Sequence, residues 1–526
     1  MTADVVVIGG GHNALVAAAY LARGGVKPVV LERRGIVGGA AVTEEFHPGF
    51  KASTVAHAAG PLRASIVRDL GLSLDLLEPE PRLFAPLPDG RSLRLWGDPQ
   101  RTAAELGRFS ARDAARYPAF HRSLGRISAV LARVLEMTPP DVSHPSLGDA
   151  LPLLRVALGV RGLGRSEAQN LLRWGPMAVA DFAGEWFETD LLRAIVAARG
   201  VTGAFAGPWS GGTTAHLLLQ AAASGGNAAG STVFVKGGLG ALTNTLAAAA
   251  RRLGAQIRTG AEVQRIAVKD GRVAGVVLAG GEEIAARAVI SGIHPQATFL
   301  GMLDPALLDP DDLRRIRNYQ SQGMASKVNL ALSKLPAFTA LEGGDVAALS
   351  GRIHIGPSVD DIERAFDDGK YGEISKRPYM EITIPTLTDP GLAPAGTHVM
   401  SAYVQYTPYR LRRGSWDERR DEVGDVVLRT LEEYAPGFSA TVLHRQVLTP
   451  LDLERTYGLT GGHPLHGEPS LNQLFTMRPL LGLARYRGPV HGLYLCGAGA
   501  HPGGGVTGSP GANAAREALK DWRASR

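Results

Sequence analysis

One cysteine, Cys496, stands among 526 residues. A lone thiol excludes an intrachain disulfide, a CxxC redox centre and any metal site built from several cysteines. Because it falls in an apolar strand, it reads as core. Long apolar runs are equally scarce. No stretch approaches the ~18 apolar residues of a membrane-spanning helix, and no signal segment precedes the first strand, so a cytoplasmic location is expected. Charge is dispersed: 56 Lys and Arg against 50 Asp and Glu leave a net +6, with no dense basic run. Nucleic acid is therefore not an expected partner. Glycine (66) and proline (33) fall short of low complexity. The G-x-S-x-G, H-E-x-x-H and phosphate-loop lysine motifs are missing too, which removes three large hydrolase signatures.

What the chain does have is concentrated at residues 4–41. Val5 to Ile8 is a short β-branched run, as a strand buried on both faces should be. It ends at Gly9-Gly10-Gly11-His12-Asn13-Ala14, followed by an Ala-rich helical stretch to Arg23 and a second strand, Pro28 to Leu31, closed by Glu32. Each part has a mechanical reason. Gly9 permits a tight turn, Gly11 lets backbone N–H groups approach a pyrophosphate, and Ala14 lets helix and strand lie close. The helix N-terminus offers unpaired N–H donors and partial positive charge to phosphates, and Glu32 can accept from ribose hydroxyls. This is a dinucleotide-binding unit.

An acid at Glu32 suits FAD or NAD. Two further features favour FAD. Arg33-Arg34-Gly35-Ile36-Val37-Gly38-Gly39-Ala40-Ala41 is a basic, then glycine-rich turn able to follow an extended pyrophosphate. Far along the chain, Leu493 to Cys496 is a strand leading into Gly497-Ala498 and a loop containing His501, Gly505, Val506 and Thr507, then a helical stretch from Gly511 to Leu519. Backbone N–H groups and a helix N-terminus there can stabilise charge on a reduced flavin.

With Lys236-Gly237-Gly238, Leu448-Thr449-Pro450 through Leu453-Glu454, and Gly461 to Gln473, these motifs resemble the FAD-dependent oxidoreductases of the phytoene desaturase and carotene isomerase type. The resemblance covers nearly the whole chain. It implies FAD as cofactor, backbone contacts from Val263 to the adenine, and a hydrophobic, unsaturated substrate resembling a lipid or polyene. Many FAD enzymes of this fold carry an acid in the last motif; here Gly497-Ala498 stands instead, so backbone or water must make that contact. The segment Gly461 to Gln473 is expected over the flavin, making His466, Gln473 and Arg478, with His501 and more weakly His57, candidate catalytic groups. His463 and His466 lack obvious further ligands for a metal, and none is expected.

The expected fold class is α/β: a discontinuous Rossmann-like FAD-binding domain from residues 1–75, 230–300 and 485–526. The inserts 76–229 and 301–484 form a second, mixed α+β substrate-binding domain. Helical texture runs over Pro99 to Leu135 and Gly184 to Arg199, with hairpin turns at Asp270-Gly271 and Gly280-Gly281. The aromatics Trp174, Phe182, Trp186, Phe187, Phe205 and Trp209 could line a substrate channel. Leu151 to Leu172, interspersed with arginines, is compatible with peripheral membrane contact. The expected activity is hydride transfer to flavin N5, giving desaturation or isomerisation, with oxygen, quinone or nicotinamide as electron acceptor. Alternatives are a binding or assembly protein with a structural flavin, and a flavin amine oxidase.

Overall fold

The computed structural model describes residues 2–56, 62–142, 147–226 and 232–525. Two seven-stranded sheets organise them. In the first, Thr2–Ile8 lies between Glu283–Ser291 and Pro28–Leu31, parallel to both. Gln256–Arg258 extends one side, and Leu493–Leu495 pairs in parallel with the end of Glu283–Ser291. Flanked on both edges and covered on both faces, Val5 to Ile8 are all 3% exposed or less. Burying each such side chain contributes about 1.5–3 kcal/mol. The hairpin Val263–Lys269 and Arg272–Leu278 completes the sheet antiparallel, turning at Asp270-Gly271 where both φ are positive.

Small residues set the helix packing on this sheet. His12–Arg23 and Ser509–Ala524 approach so closely that a Cβ on Gly511 would sit 2.0 Å from the Asn13 carbonyl oxygen. The N-terminal unit is thereby clamped to a segment nearly five hundred residues away.

The second sheet runs in the order Val442–Leu448, Ala325–Leu332, His398–Gln405, Met380–Thr383, Arg352–Ile355, Leu83–Pro86, Ser92–Leu95. It draws strands from both stretches flanking residues 230–300. Its two faces differ sharply. Val328, Leu330, Ile353, Ile382, Met400 and Ala402 pack with Val423, Val427 and Leu431 of helix Trp416–Tyr434. Residues one position along point the other way. In register across four strands lie Lys327, Tyr403, Glu381 and His354, and beside them Asn329, Ser401, Thr383 and Arg352. That face is polar, and it turns towards the cavity described below.

Helices between Pro99 and Ala223 form a separate apolar core around Phe120, Phe182 and Phe187. Two expected helices are each broken in two. Pro99–Leu106 stops before Ser110, whose hydroxyl caps Ala111–Glu136 by accepting from Asp113 N–H. Val179–Trp186 and Asp190–Val201 are separated because the buried Asp113 carboxylate accepts from Glu188 N–H (3.0 Å) and Thr189 N–H (2.8 Å). A long-range carboxylate thus ends one helix and starts the next. No helix among the described residues is long and apolar enough to cross a membrane.

Candidate active site

A cavity of about 470 Å³ opens between the first sheet and the polar face of the second. Its nucleotide side brings together Gly9, Gly11, His12, Asn13, Ala14, Glu32, Arg33, Gly39, Ala40, Ala41 and Val263 with Ala498, Gly505 and Val506. His12 Nε2 lies 3.2 Å from the Gly505 carbonyl oxygen, joining the two ends of the chain directly. Gly9, at φ +87°, makes the turn off the first strand. Gly11 caps His12–Arg23 without a side-chain hydrogen bond, and a Cβ there would meet no protein atom within 4 Å. The space over the helix N-terminus is thus open to a ligand. Glu32 is fixed at the wall, accepting from Gly10 N–H (2.6 Å) and Arg34 N–H (2.8 Å).

Arg33 and Arg34 divide their work. Arg33 donates to the carbonyls of Arg455 and Thr456, whereas Arg34 pairs with Glu44 and leaves a buried Nη1 without a partner among the described residues. Arg34 also lines the cavity. An open helix N-terminus, an orphaned guanidinium nitrogen and an anchored acid fit the diphosphate and ribose of FAD. Gly38, Gly497 and Thr507 stand off the cavity wall. A Cβ on Gly38 would collide with Val42 and Thr243, one on Gly497 with the Gly292 carbonyl, and Thr507 accepts from Ser509 N–H at the start of the last helix.

Of the catalytic candidates among the described residues, only His466 lines this cavity. Burial, with Arg478 and His463 nearby, lowers its pKa to about 3, so the ring is neutral and a weak base; its Nδ1 has no partner among the described residues. Arg478 is corrected to a scaffold role: 1% exposed, it donates to the carbonyls of Leu465, Gly467, Glu468, Gln473 and Ala498. Gln473 likewise serves backbone, accepting from Gln320 N–H and donating to the Gln320 and Glu468 carbonyls. His501 is held 2.9 Å from the Val134 carbonyl and packs edge-on against Phe475, away from the wall. His463 pairs with Glu468 at 3.2 Å, and no cluster of three metal-ligating side chains exists among the described residues. His57 lies outside the described residues. The aromatic channel is also corrected: Trp174, Phe182 and Phe187 pack edge-on in the helical core, and Trp209 is 47% exposed.

The sequence reading missed the opposite wall. Arg199 and Thr202 at the end of Asp190–Val201, Gln220 from Thr213–Ala223, and Arg352, Glu381 and Tyr403 from the second sheet all line the cavity. Glu381 Oε2 accepts from Arg199 Nη1 at 2.9 Å and from Arg352 Nη1 at 2.7 Å. On the same sheet face, burial pushes Lys327 down to about 7 against the opposing pull of Glu381. Strand alternation was the available signal, yet alternation alone does not tell a cavity face from a solvent face. A smaller cavity of about 120 Å³ shares Gln220 and Leu465 with the first; Ala132, Leu135, Leu219, Ala222 and Leu474 contribute to its lining.

This architecture and site define a flavin-dependent oxidoreductase. The family described as "Flavin containing amine oxidoreductase" matches residues 15–518, and the chain belongs to it. It is 40% identical to pyridine nucleotide-disulfide oxidoreductase domain-containing protein 2 of Rattus norvegicus, over 99% of this chain and 94% of that one. It is 29% identical to a subunit of the limonene dehydrogenase of Castellaniella defragrans, over 98% and 94%. An oxidoreductase structure from Methanosarcina mazei superposes with a TM-score of 0.63 at 17% identity, over 99% of this chain and 100% of that one, and shares the fold. The resemblance to phytoene desaturases also stands. The protein is an FAD-dependent oxidoreductase.

Proposed function

We propose that this oxidoreductase desaturates or isomerises a hydrophobic, unsaturated substrate resembling a lipid or polyene. The observation that carries the reading is a second, smaller cavity that shares Gln220 and Leu465 with the first and has Leu135, Leu219 and Leu474 in its walls beside Arg63, Glu136 and Arg478. When bound, FAD supplies a two-electron hydride acceptor at N5. Gly11, Asn13, Ala40 and Ala41 would hold its diphosphate with Arg34, Glu32 its ribose, Val263 its adenine, and Ala498, Gly505 and Val506 its flavin end. Desaturation would remove a hydride and a proton from adjacent carbons and form a C=C bond, the proton passing to solvent and the electron pair leaving finally to oxygen, a quinone or a nicotinamide. Isomerisation would return both the hydride and a proton to the substrate. His466, kept neutral, can hydrogen-bond without competing as a strong base, and Arg478 fixes the loop that presents it.

The substrate's apolar character also makes sense of helix Leu147–Gly162, whose Leu151, Leu154 and Leu158 are more than half exposed beside Arg155 and Arg161. Such a surface suits resting on a bilayer, from which an apolar substrate would enter. The amine oxidase reading is compatible with the family, but Arg199 and Arg352 against Glu381 on the wall opposite the nucleotide side weigh against a cationic amine there. Anaerobic addition of terpene or polyene substrates should bleach the visible flavin absorbance. Peroxide release from amines with no bleaching by any apolar substrate would transfer the assignment to amine oxidation. Lack of turnover with either class would leave a structural flavin.

A further inference from the structure

We propose that the wall formed by Arg199, Arg352 and Glu381 is a subsite for the carboxylate of an otherwise apolar substrate. The inference rests on the reading above and narrows its substrate class. Glu381 is 7% exposed and Arg352 1%, so this group is removed from water while still lining the cavity. Both guanidiniums converge on the same carboxylate oxygen, Oε2. Two cations on one anion leave an excess of at least one positive charge at that wall, and Lys327 stands on the same sheet face. Their donors are incompletely used as well: Arg352 Nη2 and Arg199 Nε are buried without a hydrogen-bond partner among the described residues. An orphaned buried donor is costly, and more so when charged. A ligand carboxylate answers both deficits, bringing one negative charge and acceptors suited to a guanidinium's planar fork.

The rest of the lining says what the anion is attached to. Gln220 and Leu465 are shared with the smaller cavity, where Leu135, Leu219 and Leu474 offer the hydrocarbon chain an apolar strip beside Arg63, Glu136 and Arg478. A neutral hydrocarbon would instead leave both guanidinium donors unsatisfied. The second sheet's polar face thereby has a purpose beyond internal pairing.

The test titrates FAD-loaded protein anaerobically with decanoate, decanol and decylamine, reading binding from the flavin difference spectrum and from calorimetry. Decanoate is expected to bind at least about tenfold more tightly than either chain-matched control. Arg352→Met should weaken decanoate about 10- to 100-fold, the loss of a charge-assisted hydrogen bond, while changing decanol little. Arg199→Gln, on a less buried side chain, is the second variant should Arg352→Met fail to fold. Equal binding of decanoate and decanol by the unaltered protein would overturn the subsite, as would an acid-to-alcohol ratio unchanged in both variants. The two readings fail separately: selective decanoate binding without bleaching by any unsaturated acid keeps the subsite and sinks the desaturation reading, and bleaching by neutral polyenes with no acid preference does the reverse.

Discussion

At the scale of single residues, position in the fold overrides chemical promise. His501 sits in a glycine-rich loop beside a flavin-binding segment, and its local sequence gives every reason to place it in the site. The partner that fixes it, the Val134 carbonyl, comes from 367 positions away and leaves no trace in the local sequence. His501 belongs instead with His216 and His354, all 5% exposed or less, whose burial lowers them to about 3, 4 and 4. In the unfolded chain each titrates near 6.5, so below that pH the unfolded state takes up protons first. Their contribution is whole above about pH 6.5 and is lost as pH falls towards 4, at up to about 1.4 kcal/mol per unit for each ring. Thermal denaturation followed between pH 7 and 5 should show a falling midpoint. His12, His294 and His466 are lowered in the same way, so His501→Gln should reduce that slope by about a sixth if the six contribute equally, and leave substrate-dependent bleaching in place.

At the scale of elements, the nucleotide unit was legible because each of its signals is local. A β-branched run, a G-x-G turn, an Ala-rich helix and a terminal acid lie within forty residues, and Asp270-Gly271 marks its own hairpin. Gly11 and Gly39 separate what the ligand requires from what the fold requires. Gly11 has φ −67° and open space where a Cβ would go, so Gly11→Ala should fold normally and lose about 1–3 kcal/mol of FAD affinity by crowding the diphosphate. Gly39, at φ +60° with Gly11 Cα 3.1 Å from its would-be Cβ, should lose stability of about 1–2 kcal/mol on the same change, even without cofactor. Melting of apoprotein beside FAD titration distinguishes the two. The second sheet was less legible. Its strands at Ala325–Leu332 and His398–Gln405 declare two faces by alternation, but what covers each face depends on elements far along the chain. The continuous helix expected over Gly184 to Arg199 failed for a like reason, since Asp113 acts across 75 positions.

For the whole molecule, the arrangement joins three tasks: a sheet for the nucleotide, a second sheet whose polar face closes the cavity, and a helical block whose exposed leucines face outward. The last task predicts behaviour that no single site would show. Leu154→Ser with Leu158→Ser removes two half-exposed apolar side chains from Leu147–Gly162. Substitutions this exposed should shift stability within about 0.5 kcal/mol. Co-sedimentation with phosphatidylcholine vesicles containing an anionic lipid should fall at least severalfold, while turnover of a detergent-dispersed substrate persists. Unchanged sedimentation would remove the membrane from the account.

The clamp between His12–Arg23 and Ser509–Ala524 also bears on how the protein is made. Gly505 leaves the ribosome 493 residues after His12, roughly 25–100 s later at ordinary translation speeds. Throughout that interval the alanine-rich helix has no neighbour for the face that the distant helix will cover. Coenzyme loading must therefore follow synthesis of that distant segment, and a nascent chain has reason to need a chaperone until it arrives.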